Sequence, residues 1–127
     1  MIFDGKDVGI GNIEATYLID IVIPSKDDKI KLFLGFNTQR YEFKKMPLNE
    51  RIDVIEYLYW DVSLSINGVS ILFDISKDKV FVTRLEDNKF RIEVDVENPD
   101  TIYCYEGSNP FTNLKIDTEF SFMDSMK

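Results

Sequence analysis

Glu93, Asp95 and Glu97 recur at every second position. On an extended strand their carboxyl groups would share one face at roughly 6.5–7 Å spacing, within the range an inverting glycosidase uses for its acid and base. With Asp100 the same residues could offer oxygen ligands to calcium. Both chemistries are thinly supported. Alternating acids are also what any half-solvated antiparallel strand presents. No EF-hand loop is present, and the alternation splays ligands instead of wrapping them. A chain of 127 residues also has little room for a sugar cleft.

Other routes to catalysis are narrower still. The chain contains no histidine, which removes the usual general base, the Ser-His-Asp and Cys-His nucleophiles and nearly all zinc sites. Cys104 lies in the run Thr101–Tyr105 with acids on either side. Acids raise a thiol pKa, so Cys104 reads as a small buried hydrophobe. Gly9-Ile10-Gly11 is followed by Glu14 where a third glycine of a dinucleotide fingerprint would fall, and no strand precedes it. The expectation is a protein that is not an enzyme and carries neither metal nor cofactor.

What remains is the surface. A net charge of −8 repels polyanions, so nucleic acid and anionic membrane surfaces are poor partners and a basic protein is a favourable one. Acids dominate from Arg91 to Met126, with tyrosines among them. The expected partner-binding residues are Glu93, Asp95, Glu97, Asp100, Tyr103, Tyr105 and Glu106: charge steers the encounter and an aromatic anchor supplies affinity. The competing reading is a solubilising acidic face with tyrosines in the core. Phe111, within the irregular stretch 106–113, reads as a core plug.

These residues need a scaffold, and period-2 alternation between turn clusters supplies one. Asn67-Gly68 suits a type I′ hairpin turn, which would pair Ile66 with Val69, Leu64 with Ile71 and Val62 with Phe73. Ala15, Tyr17, Ile19, Ile21 and Ile23 share one face of a first strand. Ile30, Leu32, Leu34 and Phe36 line a second, and the chain then reverses into Tyr41 and Phe43. Asp87-Asn88 joins two further strands, and Leu114 to Phe122 alternates as the last. One register conflicts: a Lys77-Asp78 turn puts Val80 and Val82 inward, whereas the Asp87-Asn88 turn wants Phe81, Thr83 and Leu85 inward. A longer loop or a bulge near Val80 would reconcile them.

Residues 47–60 read differently. Leu48, Ile52, Ile55, Leu58 and Tyr59 recur at spacings of three and four, Pro47 suits a first helical turn, and Glu50 and Asp53 suit its positive end. The expected fold is therefore α+β: a mostly antiparallel sheet, strongly curled or two-layered, with one amphipathic helix over 47–60. It forms a single domain, 1–127, with loosely held ends at 1–12 and 123–127.

In size, acidity, missing histidine and β-rich pattern, the whole chain resembles the small acidic immunity proteins that neutralise bacterial polymorphic or contact-dependent toxins. No motif carries the resemblance. It implies stoichiometric occlusion of a basic toxin, including toxins that are nucleases. The alternatives are a β-barrel-like module enclosing a small ligand, and a structural subunit of a larger assembly. A single cysteine and no secretory leader point to the cytoplasm, and the sequence sets no oligomeric state.

Overall fold

The computed structural model describes residues 1–16, 20–37, 43–59, 61–104 and 111–122. Its strands in chain order are β1 (Ile2–Phe3), β2 (Lys6–Asp7), β3 (Glu14–Ala15), β4 (Asp20–Pro24), β5 (Ile30–Gly35), β6 (Arg51–Asp53), β7 (Asp61–Ile66), β8 (Val69–Asp74), β9 (Lys79–Glu86), β10 (Lys89–Glu97), β11 (Asp100–Cys104) and β12 (Asn113–Phe120). They form two antiparallel sheets. Sheet I has the order β2-β1-β12-β10-β9-β6 and sheet II the order β11-β8-β7-β5-β4-β3. Their inward side chains join one hydrophobic cluster, as expected of layers whose alternating residues each have one face to bury.

The Asn67-Gly68 hairpin forms in the expected register, with positive φ at both turn residues. Ile23 pairs with Leu32 across the next turn, and Leu114, Ile116, Phe120 and Phe122 are buried. Phe111 plugs the core, its ring centroid 5.1 Å from that of Phe73 and 5.8 Å from that of Phe3.

The helix expected over 47–60 does not form, and the fold is nearly all-β rather than α+β. Among the described residues the segment holds β6, isolated bridges at Leu48 and Leu58 and a single 3₁₀ turn over Ile55–Tyr57. Asn49 takes a positive φ of 59°, which no right-handed helix tolerates. Its N–H donates to the Arg84 carbonyl, and that of Val54 to the Val80 carbonyl. Pairing with β9 thus outweighs a weak helical pattern rich in β-branched residues. Burial shows the same reversal: Val54, off the expected helical face, is fully buried, whereas Leu48 and Tyr59 are exposed.

Three further expectations are revised. Ala15 to Ile23 is not one strand, because Ala15 pairs back onto Ile21; Tyr17 and Ile19 lie outside the described residues. Phe43–Lys45 is a 3₁₀ turn rather than a strand, with Tyr41 outside the described residues. The register conflict resolves with Val80 and Val82 inward. Lys89 pairs with Glu86 and Phe90 with Arg84, so the extra residue is Leu85, at the far end of the strand from Val80.

The N-terminal residues, expected to be loose, form a hairpin through Asp4 and Gly5, both at positive φ, and β1 pairs with β12. Asp4 Oδ1 accepts hydrogen bonds from Thr112 N (2.7 Å), Thr112 Oγ1 (2.9 Å) and Asn113 N (3.1 Å). Residues 8–11 then hydrogen-bond to the β4–β5 turn, with Gly11 N donating to the Pro24 carbonyl and Lys26 N to that of Val8. The segment therefore touches both sheets. Residues 123–127 lie outside the described residues.

Candidate functional site

The acids singled out from the sequence do not form one site. β10 lies between β9 and β12, so each outward residue meets two cross-strand neighbours. Glu93 is held on both oxygens by Arg51 of β6, at 3.0 and 3.2 Å, and that guanidinium lies 3.6 Å from the centre of the Phe81 ring. Both Glu93 oxygens are thus engaged by one guanidinium. Asp95 stands directly between Lys79 and Lys115 in the register. Beyond Glu93, Arg91 grips Asp117 through two hydrogen bonds of 2.7 and 2.8 Å, which hold the Asp117 carboxyl below its ordinary pKa. A groove of about 530 Å³ runs over this face, lined by Arg51, Lys79, Phe81, Glu93, Asp95 and Lys115 among others. Its charges alternate in sign.

Asp95, Glu97 and Asp100 do converge, at the end of the molecule where the chain crosses between sheets. There the β8–β9 and β10–β11 connections bring Asp74 and Asp78 alongside them around a cleft of about 420 Å³, with Lys77 and Lys79 as its cations. Lys77 Nζ is 3.3 Å from Asp100 Oδ2. Asp95 Oδ1 is buried without a hydrogen-bond partner among the described residues. Burial, helped by Asp95, Asp74 and Asp100, pushes the Asp78 carboxyl above its ordinary pKa, against a hydrogen bond from Glu97 N. Asp74 moves the other way, held down by hydrogen bonds from Ser76. The cleft thus carries more negative charge than its own residues neutralise.

That imbalance has a measurable consequence. An acid with a raised folded-state pKa binds its proton more readily when folded, so its ionised form destabilises the fold above that pKa. Asp78→Asn keeps an acceptor for Glu97 N and removes the charge. It should raise stability at pH 7 by no more than about 0.5 kcal/mol, given solvent screening at a partly exposed site. The gain should vanish below about pH 3, where Asp78 is protonated in both states. Thermal melts of the two proteins at both pH values would show it.

The backbone of Tyr103 lies on edge strand β11 opposite Leu72. Its side chain and that of Cys104 fall outside the described residues, as do Tyr105 and Glu106 entirely. Asp74 and Asp78 were not singled out from the sequence. Their signal was a pair of acids flanking the turn at Lys77, ambiguous until that turn is known to cross between sheets. Among the described residues, ring contacts such as Phe36–Phe43 at 5.0 Å and Phe90–Phe122 at 5.3 Å pack part of the interior. Among the described residues no set of three acids, cysteines or histidines is placed to hold a metal ion, and no helix is long and apolar enough to cross a membrane. No protein-family model, curated protein or solved structure matches the chain.

Proposed function

We propose that the chain is a non-enzymatic protein-binding module of the immunity type, which occludes a basic toxin-like partner by seating a lysine or arginine side chain in the acidic cleft. The supporting observation is the charge of that cleft: Asp74, Asp78, Asp95, Glu97 and Asp100 against Lys77 and Lys79. A guanidinium or ammonium from a partner offsets the like-charge repulsion that adds to burial in raising Asp78, and offers donors to the carboxylates lining the cleft. The reading moves the centre of the site from Glu93, which is paired with Arg51, to Asp95, Glu97 and Asp100.

The test captures partners from the source cell's lysate with tagged protein at low and moderate salt, followed by mass spectrometry. The expected result is one basic protein retained near one-to-one, with retention falling as salt rises. Neutralising the cleft with Asp95→Asn, Glu97→Gln and Asp100→Asn together should weaken that binding by at least about tenfold. Glu93→Gln should leave it nearly unchanged. Equal binding by the triple variant and the parent protein would remove the cleft from the interface.

A further inference from the structure

The excess negative charge is not spread evenly over the molecule. The strands of sheet I carry Lys6, Arg51, Lys79, Arg84, Lys89, Arg91 and Lys115 against eight acids. Several of these are paired across strands, including Lys89 with Glu119 at 3.1 Å and Arg91 with Asp117 at 2.7 Å. The strands of sheet II carry Glu14, Asp20, Asp61, Asp74 and Asp100 against Lys31 alone. Lys31 is itself occupied by Asp28 at 3.3 Å. Among the described residues Glu14, Asp20 and Asp74 make no ion pair.

Among the described residues, the outward face of sheet II is also where exposed aromatic surface gathers. Phe33, 36% exposed, stands opposite Val22 on one side and Ser63 on the other, with Leu72 next in the row. Two residues along β5, Gly35 leaves room for the Tyr59 ring: a Cβ there would come within 3.1 Å of it. Tyr59 is 59% exposed and is tied down by its N–H donating to the Gly35 carbonyl at 2.9 Å. Two half-open aromatics therefore lie one strand repeat apart, beside small serines, inside an acidic rim. At its β8–β11 edge that rim is Asp74 opposite Asp100, both of which also line the cleft.

From this continuity we infer that the outer face of sheet II is the apolar centre of the interface, and that its occupant is a protein surface with apolar side chains ringed by lysine and arginine. The inference rests on the basic-partner reading above and adds to it the face on which most of the affinity is generated. The cleft steers and orients; Phe33 and Tyr59 supply the desolvated contact. A second copy of this chain is disfavoured, because it would bring two acidic rims together.

The test uses two synthetic probes, a peptide alternating arginine with leucine and an all-arginine peptide of equal length, titrated into ¹⁵N-labelled protein. The mixed peptide should shift the amide signals of Val22, Phe33, Gly35 and Leu72 along with those of Asp74 and Asp100. The all-arginine peptide should shift the cleft signals alone. Phe33→Ser and Tyr59→Ser, each giving a dispersed spectrum, should weaken the mixed peptide by at least about tenfold. Shifts confined to the cleft with both peptides would overturn the face and leave the cleft standing. No shift at either place would overturn both. Concentration-dependent shifts at the face without peptide would make a second copy the occupant and overturn the basic partner.

Discussion

Phe90→Ala should cost about 3–5 kcal/mol of folding stability, a large share of the roughly 5–15 kcal/mol typical of a domain. Phe90 is fully buried and sits at the centre of a ring cluster, its centroid 5.7 Å from Phe43, 5.6 Å from Phe120 and 5.3 Å from Phe122. Removing it loses transfer energy and leaves a void whose walls are held by two strands and a 3₁₀ turn, so collapse is limited. The damage should extend beyond β10, because Phe43 belongs to the 3₁₀ turn over Phe43–Lys45 and its ring packs on Phe90. Urea unfolding should show the midpoint falling with an unchanged slope. A loss below about 1 kcal/mol would mean that the cluster relaxes freely and is not the rigid packing described.

Ser25→Ala should cost about 1–3 kcal/mol, an unusual amount for one hydroxyl. Ser25 is 1% exposed and is the one buried polar residue among those described. Its Oγ accepts from Ile30 N at 3.0 Å and donates to Asp27 Oδ1 at 2.8 Å, while its own N–H donates to the Ile30 carbonyl at 2.7 Å. Without the hydroxyl, the buried Ile30 N–H loses its acceptor. A second readout separates this from simple loss of packing. The hydrogen bond from Ser25, followed by that from Lys29 N, holds the Asp27 carboxyl below its ordinary pKa. A depressed acid contributes stability that is present above its unfolded pKa and is lost as pH falls through the folded one. Chemical denaturation between pH 5 and pH 2 should therefore show a shallower acid limb in Ser25→Ala, from an Asp27 whose folded pKa has moved back toward the unfolded value near 3.9. An unchanged limb would show that the hydroxyl does not act through Asp27.

Local chemistry was legible in the sequence wherever turn and alternation agreed. Asn67-Gly68 fixed both the turn type and a register running to Phe73. Asp4-Gly5 carries the same turn signal, yet only two residues flank it on each side, too few for an alternation to declare a strand. Residues 47–60 misled for a different reason. Their apolar spacing fits a helix, but what decides the segment is a partner strand nearly thirty residues away, through the Val54 to Val80 hydrogen bond. The two turns around β9 imply opposite registers because Leu85 is a bulge, and alternation alone does not place a bulge.

The candidate site suffered most from this distance effect. Glu93, Asp95 and Glu97 looked alike along the chain, since alternation places all three outward. Their neighbours separate them: Arg51 takes Glu93 from forty-two residues away, Lys79 and Lys115 flank Asp95, and Glu97 meets Asn113 at the end of the ladder. Net charge could be read from composition. Its concentration on one sheet could not, because consecutive strands β8 and β9 lie in different sheets.

The pairing of β1 with β12 sets a late step in assembly. Asp4 and Thr112, which close it, are 108 positions apart. Closing so long a loop costs only about 0.6 kcal/mol more per doubling of length, but that entropy is lost before the contact returns anything. As the chain leaves the ribosome, β9 and β10 can zip early through their short turn. The other edge of β10 then stays bare, its backbone groups unpaired and Phe90 open on the inner face, until β12 emerges. The hazard of strand-to-strand aggregation therefore belongs to that interval of synthesis, when β10 is an edge. In the finished fold it is an interior strand.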